Sequence, residues 1–205
     1  MNEWRRSLFV NPTAWYTGMA ACLLAFSLWI PWLTGSRTAR VEKRADDIAS
    51  VLLSATEGFD SSLAEADLES VLSRFYRNAV SLGVRVKDIE RLQPPPTGSM
   101  LCLHNKHYAF QLSEAPPPPA SRPGQNTHGA LEVIAWPLSV VGPGHCTFFY
   151  PQDASRAYSR NLHRGYAGME EAGRPMPGSA HRRPGAVSRW AFQYSGNDNE
   201  RWILY

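Results

Sequence analysis

The uncharged stretch AWYTGMAACLLAFSLWIPWL, residues 14–33, decides the architecture that this sequence predicts. A helix of about twenty residues is about 30 Å long, which is roughly the hydrocarbon thickness of a bilayer. Trp15 and Tyr16 stand at one end and Trp29 and Trp32 at the other, as is typical of side chains at the headgroup level. The stretch predicts a transmembrane anchor over residues 14–33 that follows an N-terminal arm, residues 1–13.

Two other interpretations of this stretch compete with an anchor. A cleaved signal peptide has a shorter apolar core and small residues before its cleavage site, whereas this stretch ends in Pro31, Trp32 and Leu33. A buried helix of a globular core has a polar face, and residues 14–33 have none. We therefore expect an uncleaved single span, with the lipid bilayer as its partner.

The orientation of the predicted span follows from the charges on its two sides. Arg5 and Arg6 precede it, and more basic residues follow it, among them Arg37 and Arg40. The positive-inside rule, counted simply, places the large domain in the cytoplasm, but a short basic arm is also the usual start of a signal anchor. We expect a single-pass membrane protein whose C-terminal domain is extracytoplasmic.

The composition excludes some partners. The net charge of the 205 residues is only +3, and charged residues are 19% of the chain. This is too weak a basic character to indicate nucleic-acid binding. Sixteen prolines and fifteen glycines predict a domain with long loops.

Residues 34–83 have the pattern of two amphipathic helices. The first apolar stripe recurs at spacings of three and four residues: Val41, Ala45, Ile48, Leu52 and Ala55. Ser62 and Glu65 have the form of a capping box before the second stripe, and Gly83 is a typical helix stop. We expect both helices to pack on a sheet.

Residues 84–205 predict an antiparallel β-rich domain with loops rich in Pro, Gly and Arg. Leu101–His104 and His107–Leu112 flank Asn105-Lys106, which indicates a tight hairpin. The apolar run 131–138 predicts a central strand, and residues 146–150 predict its neighbour. The segments 190–194 and 202–205 predict a closing hairpin, and residues 152–189 are expected to pack loosely. The predicted fold class is α+β, with an N-terminal transmembrane helix followed by helices packed on an antiparallel sheet.

Three segments carry a resemblance to a known family: HYAFQL (107–112), LEVIAWP (131–137) and GHCTFF (144–149). Together with the order of the helices, they resemble the sheet of type IV pilin-like and pseudopilin-like proteins. The resemblance implies a pilin-like domain and filament assembly in the cell envelope. The sequence lacks the prepilin cleavage motif, since Gly18 lies inside the apolar stretch and Leu23 occupies the position where a processed pilin has glutamate.

One group of residues has the chemistry of soft metal ligands. Its members are cysteines and histidines near two predicted strands: Cys102, His104, His107, His145 and Cys146. Thiolates and imidazoles bind Zn²⁺ tetrahedrally, but this spacing matches no common zinc module. A Cys102–Cys146 disulfide and two free thiols are the alternatives.

A basic segment offers a second candidate site. Arg156, Arg160 and Arg164 stand four residues apart, which in a helix places three guanidinium groups on one side. Such a face would contact an anionic surface or an acidic partner. The alternative is an irregular solvated segment.

The sequence contains no phosphate-binding loop, dinucleotide fingerprint or nucleophile elbow. We therefore expect neither an enzyme nor a cofactor. The leading hypothesis is a membrane-anchored structural or interaction protein whose pilin-like domain contacts other envelope proteins. A non-catalytic ligand-sensing or regulatory ectodomain is the alternative, and a zinc- or thiol-dependent enzyme would depend on the cysteine–histidine group alone.

Overall fold

The computed structural model describes residues 12–59, 63–115, 130–152, 156–183 and 192–205. The chain divides into two units, Met1–Ala39 and Arg40–Tyr205. Its elements, in chain order, are α1 (Pro12–Ser54), α2 (Glu65–Ser81), β1 (Glu90–Arg91), β2 (Leu101–His104), β3 (Tyr108–Glu114), β4 (Leu131–Pro137), β5 (Thr147–Pro151), β6 (Ala157–Ser159), a 3-10 turn (Glu171–Gly173), β7 (Gln193–Ser195) and β8 (Arg201–Leu204).

The predicted transmembrane helix over residues 14–33 is wrong. Among the described residues, no helix is both long enough and apolar enough to cross a membrane. The stretch belongs instead to α1, a 43-residue helix that ends at neither Pro31 nor Gly35. The prediction depended on the absence of charge over residues 14–33, whereas the helix continues without a break into the charged residues that follow.

The strands form one eight-stranded antiparallel sheet in the order β1-β2-β3-β4-β5-β6-β8-β7. The predicted hairpin of β2 and β3 is confirmed, with Leu103 opposite Phe110. The predicted central strand is also confirmed, because β4 lies between β3 and β5 and all its residues are buried. The closing hairpin is formed by β7 and β8, whereas Trp190 lies outside the described residues.

Both helices cover the first face of the sheet within the unit Arg40–Tyr205. The predicted stripe of α1 is buried there at Ala45, Ile48 and Leu52, together with Phe75 of α2 and Phe110 of β3. Because side chains of a strand alternate between faces, every second residue of β3 and β4 contributes to this core. The prediction of helices packed on an antiparallel sheet is therefore confirmed.

Polar contacts fasten α1 to the sheet. The phenols of Tyr150 and Tyr205 both donate hydrogen bonds to Asp46 Oδ1. Glu42 Oε1 accepts hydrogen bonds from the backbone N–H groups of His145 at 2.8 Å and Cys146 at 3.2 Å. These contacts fix the position of α1 over β5 and its entry turn, and Tyr205, the residue after β8, adds a contact from the far end of the sheet.

The start of α2 differs from the prediction, and its end agrees with it. Ala64 is the N-cap, and its N–H donates a 3.0 Å hydrogen bond to Asp67 Oδ2. Ser62, the predicted cap, lies outside the described residues. Beyond the helix, Gly83 adopts a φ of 69°, the left-handed conformation that glycine accepts most readily.

The second face of the sheet is covered by the described part of the segment 152–189, which was predicted to pack loosely. We call residues 156–183 the covering segment. For the described residues 156–183 that prediction is wrong, since Tyr166, Arg174 and Ala180 are buried. The reason is the alternation within the strands. It places Trp136 and Phe149 on the second face, and apolar side chains of this size require cover.

Candidate functional site

The five predicted soft ligands do not form one site. Cys102 lies on the second face of the sheet, in the cluster that contains Trp136, whereas Cys146 packs against the first-face core. Both are free thiols, so of the two alternatives the structure has free thiols and not a Cys102–Cys146 disulfide. In the part of the chain that the structure describes, no group of three or more potential metal ligands converges. The zinc alternative therefore has no geometric basis among these residues.

The histidines of this group have other positions. His104 ends β2 opposite Ala109, and the backbone N–H of His107 donates a 2.8 Å hydrogen bond to Asn105 Oδ1 in the hairpin turn. His145 is exposed, and its backbone N–H is held by Glu42. His104 and His107 therefore lie at the turn between β2 and β3, whereas His145 lies in the loop before β5. The three histidines do not form one group.

Both thiols of the sheet domain are poor nucleophiles. Burial raises the pKa of Cys102 to about 11, although the charge of Arg174 partly opposes this effect. Burial, together with the charge and hydrogen bond of Glu42, raises the pKa of Cys146 to about 12. Since the thiolate is the reactive form, neither residue has the character of a catalytic cysteine.

Thiol labelling checks this arrangement. We expect Cys102 and Cys146 to react slowly with a thiol reagent in the native protein. Cys22 of α1, which is exposed in a single chain, should react at once where the chain is monomeric. In denaturant, all three cysteines should react without prior reduction. Absorbance at the reagent's end point counts the thiols, with Cys22→Ser as the control. A requirement for reductant in the denatured protein would contradict the assignment of free thiols.

The three predicted arginines do not form one basic helix face. Ala157–Ser159 is strand β6, and residues four apart are separated by about 13 Å in an extended chain, compared with about 6 Å in a helix. The guanidinium of Arg156 lies 5.3 Å from the ring centroid of Tyr150. Arg160 is exposed, and Arg164 Nε donates a 2.6 Å hydrogen bond to the carbonyl oxygen of Asp198. The predicted one-sided arrangement is therefore wrong.

A buried carboxylate on the β7–β8 connection organises this region instead. Glu200 accepts hydrogen bonds from Ser159 Oγ at 2.8 Å and from the backbone N–H groups of His163 and Arg164 at 3.0 and 2.7 Å. The N–H of Arg201 is a further donor. Burial alone would raise the pKa of Glu200, but these donors outweigh burial and lower it. The residue therefore fastens the covering segment to the sheet as an ion.

A second buried carboxylate lies at the centre of the sheet. Glu132 of β4 accepts hydrogen bonds from Ser113 Oγ at 3.2 Å and from the N–H of Gly178 at 2.8 Å, and its Oε2 lies 2.8 Å from His181 Nε2. Ser113 and His181 both contact the carboxylate, so the serine is not activated by a histidine as in a nucleophilic triad. This arrangement supports a structural connection between β4 and the covering segment.

Sequence reasoning assigned no role to either carboxylate. For Glu132 a signal was present, because a charged residue inside the apolar run 131–138 requires a buried partner. For Glu200 no local signal exists, since it follows the polar run Ser-Gly-Asn-Asp-Asn. Its donors come from a segment about forty residues earlier, and only the sheet topology brings them together.

An exposed apolar surface on α1 is the candidate for interaction. We call Met19, Cys22 and Leu23 the α1 surface; they stand at spacings of three and four residues and therefore share one helix face. Met19 is 48% exposed and Leu23 is 65% exposed, and Cys22 is exposed as well. Around Gly18 the helix backbone is open, because a Cβ added there would meet nothing within 4 Å. This surface can accept another apolar helix at close range.

No protein-family model matches the chain. Neither a curated protein nor a solved structure shows significant similarity to it. The resemblance to pilin-like proteins and the extracytoplasmic location therefore stay predictions.

Proposed function

We propose that this chain is a structural, self-associating protein whose α1 surface packs against α1 of further copies of the same chain. The observation that carries the proposal is the exposure of three large apolar side chains on successive turns of α1, namely Met19, Leu23 and Leu24. Large apolar side chains at adjacent positions of a helix mark an interaction surface when they remain exposed. The proposal retains the interaction function that the sequence predicts.

A second copy fits this surface for two reasons. Residues 14–33 carry no charge, so the surface has no charge pattern that would select an acidic or basic partner, whereas an identical helix offers the same apolar side chains. The open backbone at Gly18 also allows two helices to approach closely. The resemblance to pilin-like proteins implies filament assembly.

The test is the oligomeric state of the full chain. We expect the wild type to form a complex of defined stoichiometry in sedimentation experiments, and mild oxidation to join two copies through Cys22. The double substitution Met19→Glu, Leu23→Glu should raise the dissociation constant by about 100-fold or more, which corresponds to about 2.7 kcal/mol. Burying unpaired carboxylates in an apolar interface supplies a cost of this size.

A matched control distinguishes a specific interface from non-specific association through exposed apolar side chains. Val80 and Leu82 are also large and exposed, at 74% and 67%, and Val80→Glu, Leu82→Glu should leave the stoichiometry unchanged. A monomeric wild type would overturn the proposal, and so would equal dissociation of the control. Flotation of single copies with phosphatidylcholine vesicles, without a Cys22 cross-link, would also overturn it.

A further inference from the structure

A cavity of about 530 Å³ lies beside the covering segment of the second face. Its walls include two arginines, Arg164 and Arg174, and two acidic residues, Glu171 and Asp198; Tyr166 and Asn197 also line it. A volume of this size is within the range of small-molecule sites. The proposed self-association does not use this cavity.

Arg174 is the unusual member of the lining. The residue is only 6% exposed, and its Nε is buried without a hydrogen-bond partner. Among the described residues, no carboxylate forms an ion pair with it. A buried Nε–H without an acceptor is costly, and a carboxylate that enters the cavity would supply both that acceptor and a counter-charge for the guanidinium.

Two buried acidic groups of the second face, Glu132 and Cys102, do not neutralise Arg174. Glu132 is bound by Ser113, Gly178 and His181. Cys102 stays a neutral thiol at physiological pH because burial raises its pKa to about 11. Neither group therefore supplies the missing anion, and the two carboxylates that line the cavity, Glu171 and Asp198, form no ion pair with Arg174 in the part of the chain that the structure describes.

Arg164 places a second guanidinium at the cavity, and its Nε donates to the carbonyl oxygen of Asp198. The acidic residues limit the kind of anion that can enter. Asp198 Oδ2 accepts a 2.7 Å hydrogen bond from the phenol of Tyr166, and Oδ1 accepts one from the N–H of Glu200 at 2.9 Å. These donors stabilise the ionised form of Asp198. A negatively charged Asp198 repels a doubly charged phosphate more strongly than a singly charged carboxylate.

We propose that the cavity binds a small organic carboxylate that also carries hydroxyl groups. Its carboxylate lies against the guanidinium groups of Arg174 and Arg164, which match the planar geometry of that group. Its hydroxyl groups face Asp198 and Asn197, whose side chains accept hydrogen bonds. The site is one of binding, with no covalent step.

The test measures chemical unfolding of the full chain with D-glucuronate and L-lactate as probes. D-glucose serves as the neutral counterpart of glucuronate, and inorganic phosphate as the competing anion. At about tenfold above its dissociation constant, a carboxylate should raise the folded-to-unfolded ratio by about 11-fold. Arg174→Met should abolish this gain, and Arg164→Met should reduce it. Arg77→Met, an exposed position on α2, should retain it.

A second measurement requires no ligand. If Arg174 lacks a counter-charge until a carboxylate binds, Arg174→Met without any probe should be at least as stable as the wild type. The reason is that an apolar side chain then replaces a buried charge that has no partner. A destabilised Arg174→Met that still responds to glucuronate would overturn the proposal. It would also be overturned by no response of the wild type to either carboxylate, by an equal response to glucose, or by a response to phosphate alone. Undiminished binding by Arg164→Met would equally contradict it.

Discussion

Glu200→Gln is expected to lower the free energy of unfolding by about 3 kcal/mol, because a buried, hydrogen-bonded charge is replaced by a group that cannot accept from all its donors. Glu200 is 1% exposed, and Ser159 Oγ and the N–H groups of His163, Arg164 and Arg201 all donate to it. The amide nitrogen of glutamine has no acceptor role and would face donors. Urea unfolding at neutral pH measures the difference.

The difference in free energy of unfolding between the wild type and Glu200→Gln depends on pH. The pKa of Glu200 in the folded protein lies below its ordinary value of 4.5, so the unfolded chain takes up the proton first as the pH falls. Its contribution is therefore complete above about 4.5 and is lost as the pH falls through the folded-state pKa. We expect the gap between wild type and Glu200→Gln to shrink on acidification. Glu170→Gln, at an exposed position, is the control, and a gap that widens in acid would contradict the assignment.

Trp202→Ala is expected to cost about 3–5 kcal/mol, the usual range for truncating a large buried aromatic residue. Trp202 of β8 is fully buried, and its ring lies 5.8 Å from that of Phe149 in an edge-on arrangement. Its Nε1 donates a 3.5 Å hydrogen bond to Asp198 Oδ1. The fit is tight: a Cβ built on Gly196 would lie 2.7 Å from the indole nitrogen. The cavity left by alanine therefore has little means of closing.

Leu162→Ala is the matched truncation at an exposed position, since Leu162 is 79% exposed, and it should change stability by less than about 0.5 kcal/mol. Denaturant unfolding with an unchanged slope would show that both variants share the same folded state. A loss below about 1 kcal/mol for Trp202→Ala would mean that β8 does not close the second face.

The strands of the sheet were predictable because they carry short-range signals. Asn105-Lys106 between two apolar runs predicts the β2–β3 hairpin, and the run 131–138 predicts a buried central strand. The stripe of Ala45, Ile48 and Leu52 likewise predicts which face of α1 is buried. Each of these signals depends on residues that are neighbours along the chain, where helix and strand periods are visible directly.

The anchor and the sites were not predictable in the same way. Absence of charge in residues 14–33 did not establish a spanning helix, and spacing of four did not make a helix of Arg156, Arg160 and Arg164. A Cys102–Cys146 disulfide, one of the alternatives, does not form because the two residues stand on opposite faces of the sheet. The number of residues between two positions does not indicate whether their side chains lie on the same face of the sheet when they belong to different elements.

The sequence by itself determined the elements: the amphipathic part of α1, the hairpins, the central strand and the stop at Gly83. Only the tertiary structure decided which polar groups meet. The partners of Glu132 and Glu200 and the buried Nε of Arg174, which has no hydrogen-bond partner among the described residues, arise where a Pro- and Gly-rich segment folds over the second face. The physical reason is that hydrogen bonds and charges act over a few ångströms in space, whereas the residues that make these contacts are separated by tens of positions in the chain.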